Sequence, residues 1–134
     1  MEPRTEVGSV IERPDPHGGD RGDLGAQLHG MWASVAASWG EHADYADARG
    51  AAITATMLEL SAPRPGDRVL ELACGAGGTG IAAAKLVGPA GEVVLSDVVA
   101  EMTAIAAARA AAAGLGNVRT LTLDFDHLAQ PGPG

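Results

Sequence analysis

Apolar positions recur at helical spacing in the first half of the chain and collect into short unbroken runs in the second. From Leu24 onward, Leu28, Trp32, Val35 and Trp39 lie on one face of an α-helix. Ile53, Met57 and Leu60 mark a second helix over residues 49–60, and Pro63, Pro65 and Gly66 end it and set up a turn. The period then changes. Residues 68–73 read as a buried strand, 78–87 as a helix closed by Gly88 and Pro89, and 92–97 as a second strand. A further helix over 100–113 stops at Gly114 and Gly116, and 118–124 makes a third strand with Val118, Leu121 and Leu123 as its apolar bulk. Strands that alternate with helices imply parallel neighbours and right-handed crossovers. The expected fold is therefore α/β, a doubly wound sheet of strand order 3-2-1 preceded by two helices.

Residues 1–23 mix Pro, Gly, Asp and Arg with few large apolar groups, so ordering them buries too little to offset the entropy lost, and a disordered tail is expected. The adhesion-like tripeptide Arg21-Gly22-Asp23 within it is read as chance. The helices occupy 24–62, the sheet domain 63–128, and the Pro- and Gly-rich residues 129–134 form a second disordered end. A doubly wound fold ordinarily carries a second half beyond its first strand, and one half is encoded here. The chain reads as truncated on that ground. Val69, Leu70 and Leu72 would then lie on an open sheet edge, available for self-association.

A net charge of −8 with no cluster of Lys and Arg offers phosphate backbones nothing to hold, which argues against nucleic acid as a partner. The single Cys74 cannot form an internal disulfide, and His17, His29, His42 and His127 are too scattered for a metal site. The N-terminus lacks an export pattern and the alanine-rich run from Ile105 is broken by Arg109 and Gly114, so neither export nor membrane insertion is expected. A cytoplasmic location follows.

The chemistry concentrates at 69–80, Val-Leu-Glu-Leu-Ala-Cys-Gly-Ala-Gly-Gly-Thr-Gly, where a strand breaks into a glycine-rich loop that opens a helix. Glycine lets bare backbone N–H groups approach a ligand. Glu71, just upstream, opposes a pyrophosphate and attracts an ammonium or sulfonium. Glu71, Asp97 and Asp124 each fall at or just past the C-terminal end of a strand, and in a parallel sheet those ends share one rim. Asp97 can accept ribose hydroxyls; Asp124 can accept an exocyclic amine while Phe125 lies against the ring. The run Gly75-Ala-Gly77-Gly-Thr-Gly80 also satisfies a dinucleotide fingerprint, so an NAD-binding oxidoreductase half is the rival reading. A non-catalytic remnant is the second rival.

The segment Glu71-Leu-Ala-Cys-Gly-Ala-Gly resembles the first motif of class I S-adenosylmethionine-dependent methyltransferases, Asp97-Val-Val-Ala-Glu-Met102 their second-strand motif, and 117–128 their third. Within the class the chain is most similar to the ubiquinone and menaquinone methyltransferase-like branch, over about 24–128. The resemblance implies a Rossmann-like domain, S-adenosyl-L-methionine as cofactor and a small-molecule acceptor such as a quinol or phenol. It also implies that Glu71 with the backbone at Ala73, Gly75 and Gly77 holds the methionine part, Asp97 the ribose, Met102 an adenine face, and Asp124 with Phe125 the adenine edge. No catalytic residue and no metal ligand is implied. Ala73 replaces a glycine, a change tolerated if its φ is negative. Val99 stands where a capping Ser is expected, at a cost of about 1 kcal/mol.

Among the remaining candidates, Cys74 reads as a packing residue rather than a nucleophile. Trp32 and Trp39 read as the packing face of their helix, with a substrate-pocket wall as the alternative. His29, His42 and Tyr45 receive surface or packing roles.

Overall fold

Proline and glycine mark the ends of the second and third helices, at 63–66 and 88–89. A computed structural model describes residues 20–127, and in it α1 (Asp20–Glu41) and α2 (Ala43–Ser61) precede β1 (Arg68–Glu71), α3 (Gly78–Val87), β2 (Glu92–Asp97), α4 (Ala100–Ala112) and β3 (Val118–Thr122), with a 3-10 turn at Phe125–His127. The strands are parallel in the order β1-β2-β3, as the alternation of elements implies. Glu71 pairs with Leu95 and Asp97 with Thr122, which brings the strand ends to one rim.

Several boundaries differ from the sequence expectation, each for a local reason. α1 starts at Asp20 rather than Leu24, so residues 20–23 are helical; the rest of the expected tail, and the expected end at 129–134, lie outside the described residues. α2 starts six residues before Arg49, because its first turns are built from Ala and Asp, which carry no apolar stripe. It stops where Ala62 turns left-handed (φ 46°) and its N–H donates to the Leu58 carbonyl, one residue before Pro63. β1 ends at Glu71, not at 73: the chain leaves the ladder there, and the Cys74 N–H crosses to the Ser96 carbonyl (2.8 Å). β3 ends at Thr122, although the Leu123 N–H still reaches the Asp97 carbonyl (2.9 Å).

The core lies between the sheet and α3 and α4. Ala83, Ala84 and Val87 of α3, Val93 and Leu95 of β2, Ala106 of α4 and Cys74 are buried together, with Leu58, Val69, Ile81, Leu115 and Val118 packed around them. Alanines dominate because a methyl group lets a helix lie close on the strands. At the far end of the sheet Asn117 Nδ2 donates to the carbonyls of Ala84 (2.9 Å) and Gly88 (2.8 Å), which satisfies the C-terminus of α3. A smaller cluster joins α1 to α4, where Ala36 packs on Val99 and Met102.

The opposite face of the sheet is open. Leu70, Leu72 and Leu121 are exposed there, and β1 and β3 are the two edge strands among the described residues. The apolar stripe of α1 is also mostly outward: Leu24, Leu28, Met31 and Val35 are exposed, and among the described side chains of that helix the buried one is Ala36. Among the described residues no helix is long and apolar enough to cross a membrane.

Candidate functional site

The glycine loop leaves β1 through residues that few side chains tolerate. Ala73 (φ 54°), Gly75 (φ 54°) and Gly77 (φ 86°) all adopt left-handed backbone, and Gly77 closes a tight turn by donating its N–H to the Cys74 carbonyl (2.9 Å). The negative φ that would make alanine an easy replacement for glycine at 73 is therefore not met. A residue with a Cβ occupies a conformation that costs it about 1 kcal/mol relative to right-handed backbone. At Gly77 a Cβ would press on Ala106 (2.9 Å) and Leu95 (3.1 Å), so the helix start lies directly on the sheet and α4. Gly80 is more constrained still, because a Cβ there would collide with Leu95 and with the Glu71 carboxylate.

Two adjoining cavities open above this loop. The first, about 500 Å³, is lined by Ala73, Gly75, Gly77, Thr79, Asp97 and Met102, with Asp47, Trp32 and Trp39 across from them. The second, about 680 Å³, shares Trp32, Ala73 and Asp97 and continues to Asp124, Phe125 and His29. Seven of the eight residues expected at the site thus border one continuous recess.

Glu71 is the exception. It lines neither cavity. Its side chain turns under the loop toward the first turn of α3, and its Oε2 is buried with no hydrogen-bond partner among the described residues. Burial raises its pKa from 4.5 to about 7; the Gly80 N–H pulls it partly back, and the nearby Asp47 charge adds to the rise. The carboxylate expected to face a cation directly sits instead behind the loop, part-protonated at neutral pH.

Asp97 is arranged in the opposite way. The Gly75 N–H donates to its Oδ2 (2.9 Å) and the Val99 N–H to its Oδ1 (3.0 Å). The side chain expected to take a ribose also holds the loop in place. Each carboxylate oxygen keeps a further lone pair for a hydroxyl. Val99, in the expected capping position, makes no side-chain cap, but Asp97 supplies a bond to its N–H and the Val99 side chain is buried against Ala36 and Met102. Packing replaces the bond a Ser would have made. Met102 is itself 4% exposed, so its contact with the cavity is an edge of a buried side chain. Asp124 accepts the Asp126 N–H (3.0 Å), a turn that sets Phe125 half-exposed at the second cavity.

Cys74 is buried, and burial first, then the charges of Glu71 and Asp97, push its thiol up to about 12. A thiol held protonated is a packing group rather than a nucleophile. Trp32 and Trp39 depart from the packing reading: both are more than 40% exposed, with ring centroids 6.3 Å apart, and both line the first cavity. His42 and Tyr45 border an outer groove with Arg49. His42 Nδ1 bonds the Ser38 carbonyl (2.9 Å), and the Tyr45 hydroxyl accepts from Arg49 (3.1 Å).

Sequence reasoning missed Arg109 and Asp47. Arg109 of α4 donates to the Ala76 carbonyl in the loop (2.7 Å), to Asp44 (3.2 Å) and to Asp47 of α2. Burial works against its charge, but the bonds to Asp47 and Asp44 outweigh it and raise its pKa. The signal was weak. Arg109 stands in an alanine-rich helix where a lone basic residue reads as solvated.

Residues 69–133 match the methyltransferase domain family. Over 75 residues the chain is 41% identical to the ubiquinone/menaquinone biosynthesis C-methyltransferase of Ectopseudomonas mendocina, which covers 55% of this chain and 29% of that protein. Over 62 residues it is 45% identical to the nocamycin O-methyltransferase of Saccharothrix syringae, covering 46% of this chain and 22% of the other. Among solved structures, a SAM-dependent methyltransferase from Aquifex aeolicus superposes with a TM-score of 0.52 at 29% identity, over 58% of this chain and 42% of that one. The chain spans less than a third of the length of these two curated relatives.

Proposed function

From residue 69 onward the chain carries a portion of a class I S-adenosylmethionine-dependent methyltransferase domain, and we propose that it binds S-adenosyl-L-methionine in the double recess and serves methyl transfer to a small molecule. The observation that carries this reading is one recess bordered by a glycine loop and by Asp97 and Asp124 at neighbouring strand ends.

The residues fit the group. Two carboxylates suit two hydroxyls and an amine, Phe125 and Met102 offer apolar faces to a ring, and α3 presents first-turn N–H groups that have no partner inside the helix. Ala73, Gly75 and Gly77 would hold the methionine part from the loop. Glu71 would act from behind it: a cation in the recess favours the ionised carboxylate, so binding would draw off the proton that burial retains. The cofactor supplies an electrophilic methyl group; the chain's task is to position and enclose it. No described residue is assigned as catalytic.

The acceptor is proposed to be a quinol- or phenol-like molecule. The named activities of the two curated relatives support a small-molecule acceptor, and the half-exposed Trp32 and Trp39 beside the loop suit a flat ring. The residues of α1 and α2 that line the cavity support a role for residues 24–62 as a cover. No observation favours a dinucleotide, which would set a diphosphate beside the Asp97 carboxylate that lines both cavities.

Calorimetric titration with S-adenosylhomocysteine and with NAD tests this reading. Saturable binding of S-adenosylhomocysteine, weakened by Glu71→Ala, is the expected result. Tighter binding of NAD, indifferent to that substitution, overturns it.

A further inference from the structure

α2 is a long helix with little to hold it. Ala43 is its one buried residue among 19, Leu58 packs half-buried on the core, and Ile53, Met57 and Leu60 point outward. Hydrophobic burial therefore anchors the C-terminal half of α2 through Leu58, and at the end over the recess it rests on Ala43. Among the described residues its side-chain polar contacts with other elements are the Thr54–Thr79 hydroxyl pair (3.3 Å) and the bonds of Asp44 and Asp47 to Arg109. Asp47 lines the first cavity and lies so close to Gly78 that a Cβ there would collide with its carboxylate.

Arg109 is also bonded to the glycine loop, at the Ala76 carbonyl. The peptide after that carbonyl leads into Gly77, and Ala76 lies between two left-handed glycines, where the backbone has the widest choice of arrangements. A donor on the carbonyl fixes the plane of that peptide. The guanidinium alone can serve both ends, because Nη1 faces the carbonyl while Nη2 faces the carboxylates in one planar fork. The Arg109 side chain is 20% exposed, whereas Asp44 is fully exposed, so the leg to Asp47 matters and the leg to Asp44 is screened by water.

We propose that Arg109 is a positioning residue that latches α2 to the glycine loop, so that the seating of the cover helix and the shape of the cofactor cradle are set together. It touches no ligand in this role. The proposal rests on the assignment of the loop to cofactor binding, and its test separates the two.

Hydrogen exchange of the full chain reads the latch without ligand, and titration with S-adenosylhomocysteine reads its consequence. Arg109→Lys keeps the charge but cannot span both partners. Exchange at residues 74–78 and in the first turns of α2 is expected to rise about tenfold, with affinity falling about as much while the denaturation midpoint stays close to that of the parent chain. Asp47→Asn keeps the loop bond and weakens the α2 leg, so it should speed exchange in α2 more than in the loop; it also covers the case in which Arg109→Lys fails to fold. Asp44→Asn should leave both readouts near the parent values. Parent-like exchange in both Arg109→Lys and Asp47→Asn overturns the latch. If the parent chain binds no S-adenosylhomocysteine, the cofactor assignment fails and the exchange data alone decide the latch.

Discussion

Two neighbouring strand ends carry the same chemical group and use it in opposite ways. At the end of β2, both oxygens of Asp97 accept backbone N–H groups, one from the loop and one from the start of α4. At the end of β1, Glu71 is turned beneath the loop with Oε2 unpartnered, and its pKa is raised to about 7. One acid accepts two backbone N–H groups; the other is buried where its charged form is disfavoured. A strand-end carboxylate is thus defined by the N–H groups the next turn aims at it, and only then by its own charge.

The sharpest way to break this comparison is Asp97→Asn. Its amide nitrogen would face a donor, leaving one buried N–H unpaired, and a loss of about 3 kcal/mol is expected in urea denaturation. Unchanged stability would mean that Asp97 does not organise the loop. Glu71→Gln should act in the other direction. The folded chain keeps the Glu71 proton up to about pH 7 whereas the unfolded chain releases it near 4.5, so the folded state binds the extra proton between those values. Stability from this group is therefore full below about 4.5 and declines as pH rises toward 7. The glutamine variant should gain on the order of 2 kcal/mol at pH 8 and lose that decline. A parallel pH profile in the two proteins would refute the buried-acid assignment. Ala73→Gly gives the smallest effect, since it relieves the left-handed strain between the two acids while adding unfolded-state entropy. A gain of about 0.5 kcal/mol in the denaturation midpoint is expected, and a loss would show that the Ala73 methyl packs usefully.

The sequence marked most of this architecture because its signals were local. Residues 78–87 and 92–97 match α3 and β2 to the residue, since Gly88 and Pro89 close the one and the apolar run of the other ends in an acid. α2 began earlier than its stripe because alanine and aspartate carry helix without carrying periodicity. Much of the recess was legible too, for parallel strand ends must meet, although Glu71 lines neither cavity and Asp47 enters it from α2. Orientation was not. Whether Glu71 looks into the cavity or beneath it depends on the left-handed turn at Ala73 and on the space at Gly80, which are properties of the folded backbone. Arg109 stayed hidden for a similar reason: its partners lie 33 and 62 residues away. For the two tryptophans helical spacing reports a face without saying what lies opposite it, so packing and a pocket wall both stay open until the fold places them at the recess.

The carbonyl of Asp97 receives the Leu123 N–H one step before Asp124, while its carboxylate grips Gly75. One residue therefore ties together the two lips of the recess, so a ligand pulling on either would be sensed at the other. Affinity for the two ends of a bridging molecule should accordingly exceed what its separate pieces report, because ordering Asp97 once serves both.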